Sequence, residues 1–126
     1  KKKRGSIINI GSDLSVIAPN QKIYKSSYES YIKPVTYSVI KHGMVGLTKY
    51  FSSLYGQKNV RVNMVSPGPV KNKQKTNLLL EIENITPMER LGNPKDILGL
   101  LFFLANDDSS YITGQNILVD GGKTII

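Results

Sequence analysis

Residues 34–69 read PVTYSVIKHGMVGLTKYFSSLYGQKNVRVNMVSPGP, and this stretch decides the fold. Pro34 suits a helix start, because the ring presets φ for the first turn. Val35 to Gln57 is expected to be that helix. Val60 to Val65 then reads as a strand, closed by the turn pair Pro67-Gly68. Upstream, Ser6 to Ile10 is a short apolar run bounded by Gly5 and Gly11, which predicts a buried strand. Downstream, Pro94 to Ala105 reads as a helix with Asn93 as N-cap and Pro94 at its first position. Asn116 to Val119 reads as a last short strand, ended by Gly121 and Gly122. Asp13 to Lys33 is expected to be a long connection, and Lys71 to Glu83 a loop with a short helix. Strands alternating with helices predict an α/β fold with a parallel sheet.

The first helix carries Tyr37 and Lys41. Residues four apart share one helix face, so a phenol and an ammonium would stand side by side. A nearby cation favours a phenolate, and a serine hydroxyl can hold a carbonyl or alcohol oxygen. Ser12, just after the first strand, supplies such a hydroxyl. Together the three suggest proton transfer to or from a substrate oxygen. The pair alone is weak evidence, because an ordinary amphipathic helix carries Tyr-x-x-x-Lys by chance. A second argument is topological. Ligands of parallel sheets bind at the carboxyl ends of the strands. The first strand ends at Gly11-Ser12 and the second at Ser66-Pro67-Gly68, so both should face one rim.

The pieces GSIINIGS, YSVIK, NVRVNMVSPGPV, PMERLGNPKDI and YITGQNILVDGG follow one another from Gly5 to Gly122. In this order they resemble the short-chain dehydrogenase/reductase family. The resemblance implies a doubly wound, Rossmann-type parallel-sheet domain, with residues 1–126 as its C-terminal part. The glycine-rich turn that lets a backbone approach a pyrophosphate is not found, so the N-terminal nucleotide-binding half is expected to be missing. Residues 1–126 alone are therefore expected to fold poorly and to be inactive. The implied cofactor is NAD or NADP, and the residue that would choose between them falls in that half. The implied roles are Tyr37 as general acid/base, Lys41 as the residue that eases its proton loss and holds the nicotinamide ribose, and Ser12 as the residue orienting the substrate oxygen. Ile10, Pro67, Gly68 and Val70 resemble positions at the nicotinamide end of the cofactor. Asn72 stands where many relatives carry a cofactor-touching threonine. Ile117 to Val119 and the Pro94–Ala105 helix resemble a subunit interface, which implies a homodimer or homotetramer.

Ser12 and Tyr37 lie 25 positions apart, roughly twice the family's gap. The extra stretch holds Tyr24, Tyr28 and Tyr31 with Lys22, Lys25 and Lys33. Tyrosines there would stack on a sugar or ring and lysines would meet a phosphate; an ordinary surface loop is the equal alternative. The stretch resembles family members that act in bacterial flagellin or surface-sugar modification. That implies a phosphorylated or nucleotide-linked sugar, or a related alcohol or ketone. Ser15 would replace Ser12 if the register shifted.

Composition narrows the remaining classes. The chain has no cysteine and one histidine, His42. Disulfides and thiolate metal sites are excluded and a protein-only zinc site is disfavoured, so no metal is expected. The cysteine usage fits a reducing cytoplasm. The apolar run ILGLLFFLA is too short to span a bilayer, which needs about 20 residues, and no membrane partner is expected. Residues 1–75 hold 14 Lys/Arg against 2 Asp/Glu, whereas residues 76–126 hold 3 against 7. A basic half attracts nucleic acid or small anions. Its lysines are scattered, with only Lys1-Lys2-Lys3-Arg4 as a run, so a solvated surface without nucleic acid is the expectation. His42 is expected at the surface. Met44, Val45, Leu47 and Phe51 are expected in the core, and Arg90 and Asp96 are expected to fix a loop and a helix start. The leading reading is a nicotinamide-dependent oxidoreductase acting on an alcohol or carbonyl; a non-catalytic relative serving binding or assembly is the alternative.

Overall fold

The computed structural model describes residues 4–27 and 31–126. Tyr28 and Lys1 to Lys3, singled out above, lie outside the described residues. Three strands, β1 (Gly5–Ile10), β2 (Val60–Pro67) and β3 (Asn116–Val119), form one sheet in the order β1-β2-β3. Both pairings are parallel, with Ile10 opposite Val65 and Val65 opposite Ile117. Among the described residues, four α-helices accompany them: α1 (Gln21–Ser27), α2 (Val35–Tyr55), α3 (Thr76–Asn84) and α4 (Pro94–Ala105).

Helices lie against both faces of the sheet. Asn9 donates to the Thr48 hydroxyl of α2 at 2.9 Å, and Ser6 donates to the Leu104 carbonyl of α4 at 2.7 Å. Positions an odd number apart on a strand point to opposite faces, so α2 and α4 lie on opposite sides. The central strand β2 accordingly buries residues of both parities, Val62 and Met64 as well as Asn63 and Val65. Such two-sided burial is the usual state of parallel strands. Buried Asn63 is satisfied by the Ile112 carbonyl and the Gln115 amide. A second cluster, formed by Ile23, Leu78, Ile82 and Leu91, ties α1 to α3.

α4 starts at a capping box. The Asn93 side chain accepts from the Lys95 amide, and Asp96 accepts from the Asn93 amide. Arg90 also grips Asp96 at 2.7 Å. Its hydrogen bond, then the one from the Asn93 backbone, holds the Asp96 carboxyl below the usual carboxylate range. Arg90 and Asp96 thus fix the loop and the helix start.

Several expectations need correction. β1 is a strand but not a buried one: Ile7 and Ile10 are 45% and 48% exposed. It is an edge strand among the described residues, with β2 as its partner. Leu47 is 47% exposed and lies outside the core, whereas Met44, Val45 and Phe51 are half-buried. The 13–33 connection is not plain loop. It contains a 3₁₀ turn at Asp13–Ser15 and the helix α1. β2 runs two residues further than expected, to Pro67.

Candidate functional site

The carboxyl ends of β1 and β2 open into a cleft of about 370 Å³. Ser12, Tyr37, Pro67, Gly68 and Val70 all line it. Five of the seven residues expected at a site are therefore neighbours in one cavity. Ile10 and Lys41 are not among its lining residues. They meet each other instead, the Lys41 Nζ donating to the Ile10 carbonyl at 3.2 Å.

Each side chain has a local reason for its place. Ser12 caps the 3₁₀ turn after β1, its hydroxyl accepting from the Leu14 amide at 3.2 Å. Tyr37 stands in the first turn of α2, behind the cap residue Pro34. The Lys41 ammonium lies 5.6 Å from the Tyr37 ring centroid, one helical turn on. The Pro67–Val70 turn is pinned from three sides. The Gly68 amide donates to Val119 at 3.0 Å, Gly92 donates to Pro69 at 2.9 Å, and the Gln74 side chain donates to Val70 at 2.8 Å. Gly68 is needed there because a Cβ would stand 2.8 Å from the Asp120 Cα. Ser15, the alternative to Ser12, is turned into the interior and shares a buried network with Ser66 and Asn116. Asn72 is exposed on the loop beyond, its amide donating to Gln74.

Other cleft residues were not singled out by sequence. Asp13 and Lys123 form an ion pair at 2.6 Å, with side chains only 7% and 9% exposed. Asp13 also accepts from the Ser12 hydroxyl at 2.9 Å. No local pattern announces a pair 110 residues apart in the chain. Tyr24 and Lys33, noted above only for their residue type, also line the cleft. Burial, then the nearby Asp13 charge, pushes the Tyr24 phenol up to about 12. Its proton is therefore retained through the physiological range. The Lys33 ammonium lies 5.6 Å from the Tyr24 ring centroid and 4.1 Å from that of Tyr37. The apolar floor comes from Ile23, Leu78 and Ile82.

No helix among the described residues is long and apolar enough to cross a membrane. The arrangement offers hydroxyls, a phenol and ammonium groups at one rim above an apolar floor, a pattern suited to a small polar ligand.

Comparison with known proteins identifies the relatives of this arrangement. The family model described as Enoyl-(Acyl carrier protein) reductase matches residues 1–124. The 3-oxoacyl-[acyl-carrier-protein] reductase of Thermotoga maritima is 32% identical over 99% of the chain and 48% of its own length. The 7alpha-hydroxysteroid dehydrogenase of Bacteroides fragilis is 37% identical over 96% of the chain and 44% of its own length. A short-chain dehydrogenase from Leptospira borgpetersenii, solved with bound NAD+, superposes with a TM-score of 0.89 at 36% identity. That match covers 98% of this chain and 46% of the other. The chain spans about half the length of the curated relatives it matches. A family model covering nearly all of the chain, with an α/β parallel sheet that superposes on a solved member, shows that this chain belongs to the short-chain dehydrogenase/reductase family.

Proposed function

We propose that this chain is the C-terminal part of an NAD(P)-dependent oxidoreductase domain that interconverts an alcohol and a carbonyl compound. The observation that carries the reading is the convergence of Ser12, Tyr37 and the Pro67–Val70 turn on one cleft at the strand ends. The oxidoreductase names of the relatives support it, as does the NAD+ bound to the Leptospira protein. The donor set fits a nicotinamide and its ribose. It presents a phenol and an ammonium on one helix turn, beside a turn pinned by backbone hydrogen bonds. Ile10, Pro67, Gly68 and Val70 would hold the nicotinamide end, with Tyr37 and Lys41 at the ribose.

When bound, the cofactor supplies hydride chemistry. The chain's own residues supply position and proton transfer. Tyr37 exchanges a proton with the substrate oxygen. The Lys41 ammonium favours negative charge developing on that phenol. Ser12 holds the substrate oxygen by hydrogen bonding. Ile23, Leu78 and Ile82 add apolar lining to the same cleft.

The substrate is read as a sugar derivative, phosphorylated or nucleotide-linked. Tyr24 offers a phenol and an aromatic face, and Lys33 a cation, to such a ligand. A cytoplasmic homo-oligomer is the expected working form. Leu98, Phe102 and Phe103 on α4 leave apolar surface exposed, which supports subunit contact.

Fluorescence titration of the protein carrying this sequence with NADH, then with NADPH, tests the reading. Saturable binding is expected, and the tighter of the two identifies the cofactor. A folded sample that binds neither would refute the hydride-transfer function and favour a non-catalytic relative.

A further inference from the structure

Among the described residues that line the cleft, three carry charge: Asp13, Lys33 and Lys123. Asp13 and Lys123 neutralise each other in a buried pair at 2.6 Å. Lys33 is left over. Its ammonium touches the rings of Tyr24 and Tyr37, and no carboxylate among the described residues pairs with it. A concave site lined by one sign of charge gathers ligands of the other. Beside this cation stands a hydrogen-bond donor. Burial, then Asp13, pushes the Tyr24 phenol up to about 12, so it keeps its proton and can give it to an anion's oxygen in a hydrogen bond. The cation is carried on a braced segment. Gln21 of α1 holds the Lys33 backbone by its amide and its carbonyl, and Ile23 of the same helix packs against Leu78 and Ile82 of α3.

The place of the cation limits where a ligand's charge can lie. Lys33 Nζ is 4.1 Å from the Tyr37 ring centroid, and the phenol oxygen stands only a ring radius and one C–O bond from that centroid. A charged group that meets Nζ and a reacting oxygen that meets the phenol are separated by the span of a short carbon chain. We propose that Lys33 and Tyr24 form an anion subsite beside Tyr37, and that the substrate is an alcohol or ketone bearing a carboxylate or phosphate within about two carbons of the reacting carbon, where a lysine ammonium can meet it as a point charge. This rests on the reading of Tyr37 given above and deepens it by fixing the position of the charge. The pairing also suits the chemistry. A substrate anion close to an oxygen that gains negative charge would oppose the reaction by like-charge repulsion. Lys33 offsets that charge and leaves Tyr37 free to exchange its proton.

Calorimetric binding to the full-length protein carrying this sequence, saturated with NADH, tests the subsite, because alcohols cannot react with the reduced cofactor. The probes are 3-hydroxybutyrate against its neutral counterpart 1,3-butanediol, and glycerol 3-phosphate against glycerol. A hydrogen bond to a charged group corresponds to a factor of about ten or more in affinity, so the anion of at least one pair should bind about tenfold tighter. The pair with the larger preference identifies carboxylate or phosphate. Lys33→Met should erase the preference, Lys33→Arg should keep most of it, and Tyr24→Phe should reduce it. NADH affinity should stay near wild type in Lys33→Met; a loss as large as that of the anion would assign Lys33 to the cofactor and overturn the proposal. 5-Hydroxyhexanoate, with its charge further along the chain, should gain little over 1,3-butanediol, and affinity equal to that of 3-hydroxybutyrate would refute the proposed position of the charge. NADH binding without any anion preference would sink the subsite alone. A folded sample that binds no NADH would sink the oxidoreductase reading and the subsite with it.

Discussion

The Lys33 ammonium sits over the ring of Tyr37, 4.1 Å from its centroid, so the proposed proton-transfer residue has a second cation near it besides Lys41. Lys33 is not free to wander. Its backbone is clamped by Gln21, whose side chain accepts from the Lys33 amide at 2.9 Å and donates to its carbonyl at 3.2 Å. The family pattern places a lysine one turn after the tyrosine; this chain adds one a turn before it. A cation over an aromatic face contributes about 0.5–1 kcal/mol where solvent reaches it. Lys33→Met is expected to lower turnover by about two- to fivefold, the equivalent of that energy. Lys33→Arg should retain most of it. Steady-state kinetics of the two variants would decide, and equal activity of Lys33→Met and wild type would remove Lys33 from the site.

Tyr37→Phe keeps the ring and its two cation contacts and deletes only the hydroxyl. Positioned proton transfer contributes roughly 10²- to 10⁴-fold. Turnover should fall by that factor, with a much smaller loss of NADH affinity from the ribose contact, while the thermal midpoint stays near wild type. Retained turnover would show that another group carries the proton.

Gly68 packs against the start of the C-terminal turn. A Cβ at this position would meet the Asp120 Cα at 2.8 Å and its Cβ at 2.9 Å. Backbone cannot yield as a flexible side chain does, so overpacking of about 1–3 kcal/mol is expected for Gly68→Ala. Denaturant unfolding would measure it. The same variant should weaken cofactor binding, because the Pro67–Val70 turn must shift to relieve the contact.

Tyr24 makes the alkaline limb of stability predictable. Its phenol is raised from an ordinary value near 10 to about 12, chiefly by burial. Below pH 10 both folded and unfolded states keep the proton, and the group adds no pH dependence. Between pH 10 and about 12 the unfolded chain loses the proton first, so stability falls through that window. Tyr24→Phe should flatten this part of the curve when unfolding is followed against pH. A curve identical to wild type would mean that Tyr24 is solvated.

Much of the architecture was readable from residues alone, and the exceptions have physical causes. The α4 start was legible because Asn93, Pro94 and Asp96 act within one turn. β3 was legible for a similar reason, its end marked by two glycines with positive φ. The burial of β1 was not, since a run such as IINI has the same pattern at a sheet edge as at its centre. Leu47 was misplaced because α2 carries apolar residues on more than one face, including exposed Val39, Ile40 and Tyr50. The helix α1 leaves little trace in the sequence because it is seven residues long, too short to be stable without packing. It gains its support from packing Ile23 against Leu78 and Ile82 of α3.

Sequence by itself determined the alternation of strands and helices, the common rim for Ser12 and the Pro67–Val70 turn, and the shared face of Tyr37 and Lys41. These depend on periodicity and turn residues, which act over a few positions. Tertiary structure alone decided that Ser12 lines the cleft while Ser15 is buried, that Lys33 covers Tyr37, and that Lys123 returns to grip Asp13. Those outcomes depend on which groups find partners once distant segments pack. A buried charge or hydroxyl takes its orientation from that partner, and neighbouring residues in the chain carry no record of it.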